Sequence, residues 1–321
     1  MVGGNAESKG GPETTDKTGE LASLAGKTVL FVGSSRGVGR VAAIEMARRG
    51  AEVLIVGHDK ARGADALAAV RAVGRGEFFL VDMGEADSVR QLAGRVLARP
   101  GGLHVLLLNA GGFPPAARRT AEGVNASYAL NFLGPWLLTC LLEDKLLASA
   151  PARVIAVSSD GHRMIEKFRL DELMTPGTTI PQMDAYGMAK FALCPWIYGL
   201  AARWAGHGVT ANLLDPGWVR TEAGEQFEGP ALMGALISTM NRLFAMDHQK
   251  GSEQYLKLAC DPTLAGTSGR YFVNGREKRS SPLTHDQVLA RRIEEHAEAW
   301  AAPFLVGRGN QSASAASTGS A

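Results

Sequence analysis

Tyr186 and Lys190 stand four residues apart in the stretch Tyr186-Gly-Met-Ala-Lys190. On a helix that spacing puts a phenol and an ammonium on one face. A free tyrosine titrates at about 10, too high to give and take a proton at neutral pH. A neighbouring positive charge favours the phenolate and lowers that value, so proton transfer is the chemistry open to the pair. The same spacing also occurs as a plain surface pair, and so it needs companions. Upstream, Ser158-Ser159 closes an apolar run, where it offers a hydroxyl to a substrate oxygen or makes a simple strand-end turn. Asn131 falls in a long helical stretch, where a buried amide must find partners, in chemistry or in the backbone.

A second stretch supplies what such a proton-transfer group would act beside. Val29 to Val32 is a short apolar run of the kind expected for a strand buried on both faces. Gly33, Gly37 and Gly39 follow at once, and then apolar residues recur at helical spacing until Gly50. Strand, glycine turn and helix in that order make a phosphate-binding start, because glycine lets a pyrophosphate approach the backbone at a helix N-terminus. The candidate contacts are Gly33, Ser35, Arg36, Gly37, Val38 and Gly39. A tight turn with nothing bound is the plainer alternative.

The elements that must position these residues alternate along the chain. Strands are predicted at 29–32, 52–56, 78–81, 105–108, 154–157 and 209–214, with a last short one at 269–273. Helices are predicted between them, at 60–73, after a cap at Asp87, at 127–147 and at 185–204. This rhythm implies an α/β fold: one Rossmann-type, doubly wound parallel sheet with helices on both faces. Ligands of such sheets bind beyond the carboxyl ends of the strands, and each motif falls at such an end or on a helix leaving it. Many NAD enzymes carry an acid after the second strand to hold the adenosine ribose. Here Gly57 takes that place, while Arg36 and His58 can face a 2′-phosphate, which favours NADP(H) over NAD(H). The competing arrangement turns Asp59 back to the ribose and leaves Arg36 as a solvated charge.

These marks together resemble the short-chain dehydrogenase/reductase family across almost the whole folded region. The glycine spacing G-x-x-x-G-x-G is that family's variant, and Asn109-Ala110-Gly111-Gly112 is like its N-A-G element. The resemblance implies a catalytic set of Asn131, Ser159, Tyr186 and Lys190. Tyr186 would be the general acid/base and Ser159 would hold the carbonyl or alcohol oxygen. Lys190 would bond the nicotinamide ribose and lower the tyrosine pKa, and Asn131 would keep a relay water. It also implies cofactor contacts from Asp82, Met83, Asn109, Ala110, Gly111, Tyr186, Lys190, Pro216, Gly217, Val219 and Thr221. The loop with Asp171-Glu172-Leu173, and Ser268-Gly-Arg-Tyr-Phe272, look like the retinol-dehydrogenase-like branch. Departures are Val32 and Leu108, which replace the family's usual Thr and Asn, and Pro195 inside the helix after Lys190.

The expected activity is NAD(P)(H)-dependent interconversion of an alcohol and a ketone or aldehyde. The resemblance implies a substrate lid after the Pro-Gly turn; residues 222–249, with many Leu, Met and Phe residues, suit one for a lipophilic small molecule, or simply pack a helix onto the core or a neighbour. Trp136, Leu137, Phe191 and Trp196 are expected at the interface of a homodimer or homotetramer. A catalytically silent dinucleotide-binding sensor or scaffold is the alternative, although such a protein would be expected to lose Tyr186 or Lys190. A methyltransferase on a similar sheet leaves Ser159, Tyr186 and Lys190 unexplained.

Composition narrows the class. The chain has 321 residues, 45% of them hydrophobic and 21% charged, as in ordinary globular proteins. A net charge of +2 gives no footprint for nucleic acid. Cys140, Cys194 and Cys260 are too scattered for a disulfide framework or a clustered metal site, and suggest a reducing, cytoplasmic setting. Residues 1–24 and 306–321 are polar and are expected as a disordered leader and tail around a single catalytic domain at 25–305. No stretch reads as a membrane anchor.

Overall fold

Runs of Val, Leu, Ile and Phe build the strands, and their alternate side chains part to the two faces of one sheet. In the computed structural model, which describes residues 21–217 and 247–305, the strands are β1 (Thr28–Val32), β2 (Glu52–Gly57), β3 (Arg75–Leu80), β4 (Val105–Leu108), β5 (Ala152–Val157), β6 (Val209–Asp215), β7 (Tyr271–Val273) and β8 (Arg276–Lys278). Their order is β3-β2-β1-β4-β5-β6-β7-β8, parallel throughout except for β8. Leu30, Val32, Leu54, Val56, Leu106 and Leu108 join the core on one face; Val29, Phe31, Val53, Ile55, Val105 and Leu107 join the core on the other.

The second face is covered by α1 (Gly37–Arg48), α2 (Lys60–Arg71) and α8 (His248–Cys260). The first is covered by α3 (Ala86–Leu97), α4 (Ala126–Tyr128), α5 (Gly134–Ala148), α6 (Leu170–Met174), α7 (Gln182–Arg203) and α9 (Gln287–Ala301). The chain winds outward from β1 to β3 and then crosses back to β4, so β1 and β4 flank the point where strand order reverses.

Several sequence expectations are corrected here. Asp87 is not the cap of α3; Glu85 stands at that position, and Asp87 sits in the first turn paired with Arg90. The predicted helix at 127–147 is two helices joined by a π turn over Ala129–Leu133. Gly134 sits at that junction because a Cβ there would lie 1.9 Å from the Met83 carbonyl oxygen. The end of the expected leader belongs to the fold: the Ala22 N–H donates to the Cys260 carbonyl, and Leu24 is buried. Val219, Thr221, the lid as far as residue 246, residues 1–20 and the tail lie outside the described residues. Helix α7 continues through Pro195. The described helices include none long and apolar enough to cross a membrane.

Trp136, Leu137, Phe191 and Trp196 do not form an outer surface. All four are buried within the chain's own core. Phe168, from the segment before α7, packs on Phe191 at a ring distance of 5.3 Å. Helix α9 adds Ile293, Ala297 and Ala301 to the same cluster, and its Glu294 meets Arg203 at 3.8 Å. Burial of those three side chains contributes on the order of 4 kcal/mol. A chain ending at residue 286 is therefore expected to lose most of that stability and to bind a hydrophobic dye, measured by thermal melting and dye fluorescence. A truncated chain that melts like the full one removes this role for α9.

Candidate active site

Gly33 ends β1 with φ of +82°, a region that side chains avoid, and a Cβ there would stand 2.5 Å from the Ala110 backbone nitrogen. A Cβ on Gly39 would stand 2.6 Å from the Gly33 carbonyl oxygen. These two glycines let the turn fold onto itself and onto the end of β4. The Asn109 amide then donates to the Gly33 carbonyl oxygen at 2.7 Å. Gly37 also has positive φ, and a Cβ there would meet no protein atom. Arg36, the residue before α1, provides no side-chain hydrogen bond to the helix start. The first N–H groups of α1 stand at the positive end of a twelve-residue helix, where an anion is favoured. Val38 and Ser35 are buried, so their side chains shape the turn from behind.

At the end of β2, Gly57 lies against Ser35: a Cβ there would be 2.6 Å from its hydroxyl oxygen. An acidic side chain does not fit at that position. Asp59 is engaged elsewhere, capping α2 by accepting the Arg62 N–H at 3.0 Å, and that bond holds its carboxyl below the usual range. Turning it to a ribose would undo the cap. His58 is exposed and Arg36 is half-buried beside the turn. Beyond β3, Asp82 accepts the Gly84 N–H at 2.8 Å and faces Arg118 at 3.8 Å, while the Met83 side chain is buried in the core.

The proton-transfer group assembles at the ends of β4, β5 and β6. Gly111 permits it: a Cβ there would be 2.9 Å from Asn131 Oδ1 and 3.2 Å from Lys190 Nζ. Asn131 sits in the π turn with its amide fully used, accepting from the Gly112 N–H and donating to the carbonyls of Gly112 (3.0 Å) and Ser127 (2.8 Å). Ser158 is buried, and its hydroxyl donates to the Lys190 carbonyl at 3.2 Å. Ser159, by contrast, stands beside the Tyr186 phenol: a Cβ on Gly161 would be 3.6 Å from Ser159 Oγ and 3.4 Å from the Tyr186 ring. Its hydroxyl also accepts the Gly161 N–H at 3.2 Å. Lys190 is 3% exposed; its ammonium donates to the Val157 carbonyl at 2.7 Å and stands 5.7 Å from the centre of the Tyr186 ring.

The electrostatics differ from the sequence expectation that Lys190 lowers the tyrosine pKa. Burial pushes the Tyr186 phenol up to about 12; the neighbouring Ser159 hydroxyl works against this, and the nearby Asp215 carboxylate adds to it. Burial also brings Lys190 down to about 8, opposed by Asp215. The cost of desolvating a phenolate outweighs the attraction of an ammonium whose nearest partner is a backbone carbonyl. In this state the protein keeps the proton on Tyr186.

Three neighbours went unnoticed in the sequence. The Phe113 ring packs on Tyr186 with centroids 4.3 Å apart. Gln182, one turn before Tyr186, donates to the Phe113 carbonyl at 2.7 Å and fixes the loop that carries that ring. Tyr255 of α8 donates its buried hydroxyl to Asn109 Oδ1 at 2.7 Å, so one amide bridges α8 and the glycine turn. No local pattern marks any of them, since each is defined by a distant partner. Pro216 and Gly217 follow β6, and the Gly217 N–H donates to Asp215 Oδ1 at 2.9 Å.

Comparison with known proteins agrees with this arrangement. A family described as Enoyl-(Acyl carrier protein) reductase matches residues 32–247. Mouse retinol dehydrogenase 14 is 33% identical over 87% of this chain and 87% of its own length. Bovine dehydrogenase/reductase SDR family member 13 is 33% identical over 86% of this chain and 73% of its own. A crystal structure of an uncharacterised protein from Mycobacterium paratuberculosis superposes with a TM-score of 0.69 at 26% identity, covering 87% of this chain and 94% of that one. Relatives along most of its length decide the family: the chain belongs to the short-chain dehydrogenase/reductase family, oxidoreductases that use a nicotinamide dinucleotide to interconvert alcohols and carbonyl compounds.

Proposed function

We propose that this protein reduces a ketone or aldehyde on a lipophilic small molecule, and runs the reverse oxidation, with NADP(H) preferred over NAD(H). The observation that carries the reading is the Ser159 hydroxyl beside the Tyr186 ring, both within 3.6 Å of a Cβ on Gly161, with the Lys190 ammonium 5.7 Å from the centre of that ring. Gly33, Gly37, Gly39 and the start of α1 would hold the diphosphate, and Asn109, Ala110 and Gly111 would lie along the dinucleotide. Bound there, the dinucleotide supplies the hydride. Ser159 holds the carbonyl oxygen and Tyr186 donates its proton to it; in the reverse direction Tyr186 takes that proton back. Lys190 contributes positive charge and a donor toward the ribose. Asn131, its amide bonded to backbone, keeps the neighbouring turn in register for a relay water. The lipophilic substrate class is supported by the retinol dehydrogenases among the relatives and by Phe113, which gives the reacting phenol an apolar wall.

NADP(H) preference rests on three neighbours: Gly57 has no room for an acid, Asp59 is spent as a helix cap, and Arg36 lies beside the turn. Arg36→Ala is expected to weaken NADPH binding about 10–100-fold, the worth of one charge-assisted contact, while NADH changes by about twofold at most. Titration of both cofactors by fluorescence measures this; equal losses for the two would remove Arg36 from phosphate recognition. The activity is tested by mixing the protein with NADPH and a panel of lipophilic aldehydes and ketones and following the reduced nicotinamide absorbance. Tight cofactor binding with no turnover on any of them would move the reading to a sensor.

A further inference from the structure

Behind Ser159 lies a buried polar chain that the proton-transfer residues do not include. Asp215, at the end of β6, is 3% exposed. Its Oδ2 accepts the Tyr271 hydroxyl at 2.9 Å, while Oδ1 takes the Gly217 N–H. The Tyr271 oxygen in turn lies 3.4 Å from Nδ1 of His162, which is fully buried. That Nδ1 stands 2.6 Å from the carbonyl oxygen of Ser159. On the far side of the ring, Nε2 faces the Ser281 backbone N–H at 3.1 Å. Since a backbone N–H can only donate, Nε2 accepts, and the His162 proton sits on Nδ1. Burial keeps the imidazole neutral by lowering its pKa.

The direction of every bond in the chain is therefore set. Ser281 donates to His162; the single His162 Nδ1–H donates to the Ser159 carbonyl and, as a longer second branch, faces the Tyr271 oxygen; Tyr271 donates its own proton to Asp215. The His162 backbone N–H reaches the same Ser159 carbonyl at 3.1 Å. His162 alone meets the Ser159 carbonyl, and three segments distant in sequence, through Ser281, Tyr271 and Asp215, hold its ring there.

We propose that His162, Tyr271 and Asp215 are positioning residues for Ser159: Asp215 and Tyr271 hold the His162 ring, which bonds the Ser159 carbonyl and so keeps the Ser159 hydroxyl beside the Tyr186 phenol. The proposal rests on the catalytic reading of Ser159 given above. It differs from simple core support, because a simple support would act equally with or without the Ser159 hydroxyl.

Tyr271→Phe removes one oxygen and keeps the ring. It is expected to lower kcat for carbonyl reduction about 10–100-fold, the scale of a reacting group displaced by up to an ångström, with the KM for NADPH within about twofold. Asp215→Asn places an amide where the Tyr271 hydroxyl and the Gly217 N–H both need an acceptor, and should lower kcat in the same way. The decisive measurement is the double variant Ser159→Ala/Tyr271→Phe. With the hydroxyl gone there is nothing left to aim, so it should be no slower than Ser159→Ala alone. Thermal melting of each variant reports folding independently of turnover. If Tyr271→Phe keeps the wild-type kcat, or if the double variant falls by the product of the single losses, the positioning role is wrong and the catalytic reading stands. If the wild-type protein reduces no member of the carbonyl panel, both fall together.

Discussion

Tyr186→Phe is expected to lower kcat for carbonyl reduction by about 10³-fold, within the range general acid catalysis contributes, with NADPH affinity unchanged. The substitution removes one oxygen from a ring that Phe113 packs against, so the fold loses the phenol's contact with the Ser159 hydroxyl and little else. Stopped-flow mixing with excess NADPH separates the chemical step from release of product. A variant retaining more than about a tenth of the wild-type rate would take the proton away from Tyr186, because a single transition-state proton transfer is worth at least about 10². The pH profile carries a second mark of the same site. The phenol is held up at about 12 and so stays protonated, in the donating form, through the neutral range. Lys190 is brought down to about 8, so its positive charge is present below that pH and is lost above it. Carbonyl reduction is therefore expected to be level at neutral pH and to fall as pH rises through about 8.

Gly33→Ala is expected to abolish measurable dinucleotide binding and to destabilise the fold by about 2–4 kcal/mol, the sum of a side chain at strongly positive φ and overpacking against fixed backbone. The added methyl would meet the Ala110 nitrogen at 2.5 Å, and neither that strand end nor the turn has a flexible side chain to move aside. Opening the gap would also break the bond from Asn109 to the Gly33 carbonyl, and through Asn109 the tie to Tyr255. Thermal melting should show a drop of about 5–10 °C for a domain of this size. Calorimetric titration with NADPH reads the binding. Wild-type affinity in this variant would place the diphosphate elsewhere than over this turn.

The local parts of this protein were legible in its residues. An apolar run followed by glycines and a helical period specifies strand, turn and helix within a few residues, because backbone conformation and side-chain spacing are local properties. The π turn around Asn131 was not legible: its cause is the close approach of Gly134 to the Met83 carbonyl from another segment. Strand β8 was missed although Asn274-Gly275 carries its signal; both residues have positive φ, at 49° and 71°, as a two-residue hairpin turn requires. Trp136 and Trp196 looked like interface residues because they are large and apolar on helices. Both lie in a core that α9 and Phe168 also join, from segments whose docking no periodicity announces.

By itself, the sequence determined the parallel sheet, the glycine cradle at its reversal point, and the Ser159, Tyr186 and Lys190 groups at its edge. Spacing within a strand or helix was enough for that. Tertiary structure alone decided that the phenol is raised and the lysine lowered. It also decided that a chain running over 56 residues from Asp215 to Tyr271, and 109 from Tyr271 to His162, closes on the Ser159 carbonyl. Desolvation and hydrogen-bond direction depend on what surrounds a group in space, and those surroundings arise from parts of the chain that meet only on folding.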